Sequence, residues 1–234
     1  MKRVILMGTM CLMALTLRAV NDGPEPEYVD LGLSVKWATC NLGASKPEGY
    51  GEYYAWGETE PYYSSQDPLT WKEGKGDGYR WDSYKWSDGS YTSLNKYNTE
   101  SKYGSVDDKT VLEEADDVAR VLLGGSWRIP TDAEWTELRT ECTWTATTQN
   151  GMPGYKVTGK ANGNSIFLPC AGYRDGKSQT ADERGGYYWS SSLDTGFPYN
   201  AWRVYFGSYD SSKSVCRCSG IRYIGFSVRP VCEQ

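Results

Sequence analysis

Trp127-Arg128-Ile129-Pro130-Thr131-Asp132-Ala133-Glu134-Trp135 passes from an extended to a helical pattern within a few residues. Thr131 and Glu134 stand three apart, the spacing at which a threonine hydroxyl and a glutamate carboxylate cap each other's backbone N–H groups. Asp132 and Glu134 place negative charge in the first turn, where the helix dipole favours it. Trp135, Leu138 and Cys142 then recur on one face. The segment predicts a strand running into a capped helix, with Trp127 and Trp135 both in the core.

Upstream, Thr110 and Glu113 repeat the capping spacing, and Ala115, Val118, Ala119 and Leu122 share a face before Gly124 and Gly125 end the helix. Downstream the pattern is β to the end. Predicted strands are Thr143–Thr148, Tyr155–Gly159, Ser165–Arg174, Tyr187–Ser192, Ala201–Ser208 and Phe226–Val231, with turns at Asn150-Gly151 and Asn162-Gly163. Near the N-terminus, Tyr28 to Ala44 reads as a hairpin turning at Gly32 and Ser34, with Val35, Trp37 and Thr39 alternating against Lys36, Ala38 and Cys40. Between Tyr50 and Tyr103 the chain turns to Trp, Tyr, Gly, Ser and charge. With few aliphatic residues to build a core, the part around residues 59–106 is expected to be a loop-rich insertion with exposed loops.

Length and composition bound the possibilities. The 234 residues suit one large domain. Mean hydropathy is low at -0.63, yet 10 Trp and 19 Tyr can still build a core. Each buried aromatic ring removes on the order of 150–250 Å² from water. The 26 glycines imply many turns, hence a loop-rich, mostly β chain rather than a helical bundle. A net charge of -5 and the lack of a basic cluster argue against nucleic acid as a partner. There is no histidine, which removes Ser-His-Asp and Cys-His catalysis and every His-ligated metal site.

Lys2 and Arg3 precede an apolar run from Val4 to Leu17, the pattern of an export signal and too short to span a bilayer. Two mature termini fit it: cleavage after Ala19, or a lipid anchor on Cys11. The expected organisation is a signal peptide over 1–19, a tether over 20–27 and one domain over 28–234. The protein is accordingly expected at the cell surface or secreted, with no transmembrane helix. Export permits disulfides, so a bridge among Cys40, Cys142, Cys170 and Cys232 is an expectation.

Ordered blocks carry a family likeness. They are Val29-Asp30-Leu31-Gly32-Leu33-Ser34-Val35-Lys36-Trp37-Ala38, Gly51-Glu52-Tyr53-Tyr54-Ala55-Trp56-Gly57-Glu58, the Trp127–Trp135 segment, Leu168-Pro169, Ala171-Gly172-Tyr173-Arg174, Tyr188-Trp189-Ser190-Ser191-Ser192 and Gly225-Phe226-Ser227-Val228-Arg229-Pro230-Val231. From Tyr28 to Val231 the chain resembles the Fibrobacter-type major paralogous domain of exported bacterial proteins. The resemblance implies an α+β, C-type-lectin-like fold, related to formylglycine-generating enzymes and to the variable proteins of diversity-generating retroelements. It implies two helices, a sheet joining the chain's ends, and a second small sheet displaying loops.

Three functions are set against one another. The enzyme reading looks to Cys216-Arg217-Cys218, but formylglycine-generating enzymes use a more widely separated cysteine pair. On a strand the two thiols share one face, where they suit a soft metal or a strained disulfide. The calcium-binding motifs of sugar-binding C-type lectins are missing, and no catalytic residue, metal site or cofactor is assigned. A structural role, as accessory subunit of a surface assembly, is the second. The third, binding a protein or glycan outside the cell, is the preferred expectation.

It rests on Trp202-Arg203-Val204-Tyr205-Phe206-Gly207, whose alternation predicts Trp202, Val204 and Phe206 inward and Arg203, Tyr205 and Gly207 outward. Outward Tyr and Arg supply contact area and polar tips at modest entropic cost. The predicted ligand-binding set is Arg203, Tyr205, Gly207, Tyr209, Asp210, Ser211, Ser212, Ser214, Cys216, Arg217, Cys218, Ser219, Ile221 and Tyr223, with the Ser208–Ile224 stretch read as a loop. Between Gly186 and Cys232 there is no Glu, Gln or Met, and Lys213 is the one lysine. Adenine-directed mutagenesis in diversity-generating retroelements cannot yield those residues at its variable codons, so the gap fits a diversified surface.

Overall fold

The computed structural model describes residues 26–180, 185–207 and 215–234. The expected signal peptide and most of the tether lie outside the described residues, as do Tyr209, Asp210, Ser211, Ser212 and Ser214.

Strands β1 (Tyr28–Val29) and β2 (Lys36–Ala38) form the N-terminal hairpin. The insertion contributes β3 (Tyr63–Gln66) and β4 (Leu69–Trp71). Two helices follow, α1 (Val118–Leu123) and α2 (Asp132–Glu141). The remainder is β5 (Cys142–Gln149), β6 (Met152–Gly159), β7 (Ser165–Pro169), β8 (Tyr173–Asp175), β9 (Ser178–Thr180), β10 (Gly185–Leu193), β11 (Asn200–Gly207), β12 (Val215–Ile221) and β13 (Val231–Cys232). Among the described residues these make five small antiparallel sheets, in the orders β1-β2-β13, β3-β4, β5-β6-β7, β8-β9 and β10-β11-β12.

That architecture corrects the expected α+β, C-type-lectin-like class. Among the described residues, strand and bridge account for 39% and helix, 3-10 turns included, for 13%, and the two α-helices are short. The mostly β reading drawn from glycine and aromatic content describes the molecule better than the resemblance did. A sheet does join the chain's ends, since Val231 pairs with Trp37 and Cys232 with Lys36.

Helix α2 has the predicted capping box: the Glu134 N–H donates to Thr131 Oγ1 at 3.2 Å, and the Thr131 N–H donates to Glu134 Oε2 at 2.7 Å. Trp135 is buried, 4.7 Å from Trp37 between ring centres, and its indole N–H reaches the Trp189 carbonyl. The expected upstream helix starts later than its sequence implied. Asp117 is the residue that caps α1, accepting from the Ala119 and Arg120 N–H groups. Thr110 and Val111 are instead drawn into pairing with the end of β10, where Leu193 donates to the Thr110 carbonyl. A sheet edge offers these residues backbone partners, and a local cap does not compete with it.

Two further expectations change. Ser165–Arg174 divides into β7 and β8 around Cys170–Gly172. Phe226–Val231 is mainly extended chain making single bridges, and only Val231–Cys232 joins a sheet.

The insertion is loop-rich with exposed stretches such as Ser64 to Pro68, as expected, but it also has a core of its own. Tyr53, Tyr62, Tyr63, Tyr79 and Tyr84 are buried together. Tyr62 and Tyr79 stack at 4.2 Å with an interplanar angle of 4°. Their hydroxyls are satisfied inside: Tyr79 donates to the Tyr53 carbonyl, Tyr84 to that of Trp56, and Tyr62 to the Glu58 carboxylate. Tyrosine supplies core area and a polar tip that finds its own acceptor, so aliphatic residues are not needed.

Two fully buried arginines knit the body. Arg229 donates to Asn41 Oδ1 and to the carbonyls of Ala38, Thr39 and Phe167. Arg222 donates to the carbonyls of Lys96, Tyr97 and Pro198 and to the Tyr84 hydroxyl. No disulfide joins any of the six described cysteines, so the bridge expected among Cys40, Cys142, Cys170 and Cys232 is not formed.

Candidate ligand-binding cleft

The sheet β10-β11-β12 has two covered faces, and its register sorts the side chains between them. Tyr187 stands opposite Tyr205 and Cys216 opposite Tyr205; Trp189 and Cys218 flank Arg203 in the same way. These residues share one face. Tyr188, Val204, Phe206 and Val215 occupy the other, and they pack in the core that holds Trp135 and Tyr155.

The Arg203 face is covered by Phe226 and Tyr173 rather than left open. Phe226 stacks on Tyr187 at 5.5 Å and lies 4.4 Å from Trp189. Tyr173, from β8, meets Tyr187 edge-on at 4.9 Å. Between these rings and the end of the sheet opens a cleft of about 370 Å³. Its lining includes Tyr173, Tyr187, Phe226, Arg203, Asn200 and Asp175. Gly220 forms bare backbone at the wall: a Cβ there would come 2.8 Å from the Phe226 ring and 2.9 Å from Arg203 Nε.

Arg203 and Tyr205 do lie on the face away from the core that holds Val204 and Phe206, but that face is covered, so both are half-buried rather than open. Arg203 lies among rings, its guanidinium carbon 4.9 Å from the Tyr187 centroid and 5.2 Å from that of Phe226. Gly207 is buried as well, and its carbonyl accepts from the Tyr155 hydroxyl. Trp202 is only half-buried, because the neighbouring strand offers it a cation instead of a core. That cation is Arg217, 3.3 Å above the Trp202 ring, with Nε donating to both Asp132 carboxylate oxygens at 2.7 and 2.8 Å.

The predicted ligand-binding set is thus divided. Arg203, Ser219 and Ile221 line the cleft. Cys216 and Cys218 lie on the Arg203 face of β12, a strand where a loop was expected. Arg217 is held on the opposite face by helix α2. Tyr223 packs edge-on against Trp81 of the insertion, 5.0 Å between centres. Sequence reasoning missed Tyr173, Asp175, Tyr187, Asn200, Ile224 and Phe226 as lining residues. The only signal for them was the aromatic alternation of Tyr187 and Trp189, which leaves open which ring meets solvent.

Electrostatics single out Arg203. Its Nε and Nη1 atoms are shut away from water without an acceptor. Burial pulls its pKa down, and the titratable groups that oppose the shift are the thiols of Cys218 and Cys216 and the phenols of Tyr187 and Tyr205. Burial likewise pushes the Cys218 thiol up despite the nearby guanidinium, so it is a protonated neighbour rather than a counter-ion. Asn200 Oδ1, in the same cleft, is a buried acceptor without a donor. Among the described residues, no group of three or more His, Cys, Asp or Glu is arranged to hold a metal ion. No helix among them is long and apolar enough to cross a membrane.

Comparison with family models, with curated proteins and with solved structures gives no match.

Proposed function

We propose that this is an exported ligand-binding protein that takes its ligand into the cleft between the β10-β11-β12 sheet, β8 and Phe226. The observation that carries the reading is Arg203 at the cleft wall, whose Nε and Nη1 atoms have no acceptor. Burying a charge without a partner costs several kcal/mol. The surrounding ring faces offset about 2 kcal/mol or more of that. They supply no hydrogen-bond acceptor for Nε and Nη1, and a ligand bearing acceptors supplies what they lack. The charged N-terminal residues Lys2 and Arg3 with the apolar run that follows them support export.

The test compares the wild type with Arg203→Met on arrays of extracellular glycans and proteins, alongside urea unfolding of both. A binding role predicts that capture is lost while the unfolding midpoint stays level or rises. A midpoint that falls with capture intact would assign Arg203 to the scaffold and sink the reading.

A further inference from the structure

We infer that the ligand of the cleft is a hydroxylated carboxylate, an acidic sugar residue, seated with its carboxylate against Arg203 and its hydroxyls toward Asn200 and Asp175. The inference rests on the binding reading above and names the chemistry of that same site.

Three observations converge on it. Just under the cleft surface, Arg203 holds Nε and Nη1 donors that no acceptor meets, and among the described residues no carboxylate pairs with it. A guanidinium in that state calls for an anionic acceptor, and its planar donors suit the two oxygens of a carboxylate. Asn200 Oδ1 is a buried acceptor without a donor, and the exposed Asp175 lines the same cleft with a second set of acceptor oxygens. The ligand therefore needs several O–H donors as well as its anion. Tyr173 and Tyr187, backed by the buried Phe226, complete the wall with ring surface, against which the C–H bonds of a sugar ring pack.

Simpler ligands each leave part of the site unmet. An inorganic anion answers Arg203 and leaves Asn200 without a donor. A neutral sugar answers Asn200 and leaves the guanidinium uncompensated. The cleft volume of about 370 Å³ admits one sugar ring with its substituents.

The test is isothermal titration of the full chain with D-galacturonate and N-acetylneuraminate, against D-galactose, L-phenylalanine and sulfate. The expected result is that at least one of the two acids binds tenfold or more tighter than galactose, with Arg203→Met removing that preference. A hydrogen bond to a charged group has about that worth. Asn200→Ala is expected to weaken the acid and galactose alike. Galactose binding as tightly as the acids, or an acid preference that survives Arg203→Met, overturns the inference. So does tighter binding of phenylalanine, which makes the site one for amino acids, or of sulfate, which makes it a plain anion site. If no probe binds while the arrays still show Arg203-dependent capture, the sugar assignment falls and the binding reading stands. If Arg203→Met leaves array capture unchanged, the binding reading itself fails.

Discussion

Tyr79 and Gly176 exchange two backbone hydrogen bonds, Tyr79 N–H to the Gly176 carbonyl at 3.0 Å and Gly176 N–H to the Tyr79 carbonyl at 2.9 Å. They fasten the aromatic insertion to the β8–β9 hairpin, the element that carries Tyr173 and Asp175 into the cleft. Insertion and cleft are thus mechanically one body.

The residue before Tyr79 tests that fastening. Gly78 has φ +76°, and a Cβ there would lie 2.1 Å from the Gly176 carbonyl oxygen. Gly74 has φ +71° with nothing within 4 Å of its Cβ position. Both alanine variants carry the backbone cost of a positive φ, about 1–3 kcal/mol. Gly78→Ala alone adds a clash with backbone, so its urea midpoint is expected clearly below that of Gly74→Ala. Equal midpoints would show that the hairpin yields without cost.

Arg229, fully buried, and Arg203, half-buried at the cleft wall, should behave oppositely. Arg229→Met takes a hydrogen bond from Asn41 Oδ1 and from three carbonyls, and each buried acceptor left unmet is expected to cost about 1–3 kcal/mol. Arg203→Met strands no acceptor and is expected to leave stability level or higher. Chemical denaturation of the two variants side by side decides it.

At helix α2, Thr131→Ala removes the acceptor for the Glu134 N–H and should lower stability by about 1 kcal/mol. Thr131→Ser keeps the oxygen and should recover most of that loss. The comparison reads the cap itself and not the volume change.

Stability should also depend on pH through Glu134. Burial pushes its carboxyl up, but the Arg128 guanidinium, donating to both oxygens at 2.8 and 2.5 Å, and the Thr131 N–H outweigh it. The net pKa lies below the usual carboxylate value. A depressed folded pKa stabilises above the unfolded value, and that contribution disappears as pH falls through the folded one. Wild type is therefore expected to exceed Glu134→Gln in urea midpoint at pH 7, with the gap closing below the usual carboxylate range. A gap that is constant with pH would show that Glu134 acts through its shape alone.

The capping box at Thr131 and Glu134 and the alternation of Val204 and Phe206 were legible in the sequence, because each depends on residues within a turn or a strand of one another. Helix α1 was misplaced because the second apparent cap, Thr110 with Glu113, lost to a strand far along the chain, whose end at Leu193 engages the Thr110 carbonyl. The strand β12 was not legible: Val215-Cys216-Arg217-Cys218-Ser219-Gly220-Ile221 has no apolar alternation, and β11 makes it a strand by supplying backbone partners. The same holds for the cleft. Alternation put Arg203 and Tyr205 on one face, but what covers a face is set by chain from elsewhere. Here Tyr173 and Phe226 cover it, and they turn an expected open surface into a walled pocket around Arg203. Local hydrogen bonding and side-chain period are written in adjacent residues, whereas the solvent exposure of a sheet face depends on long-range packing.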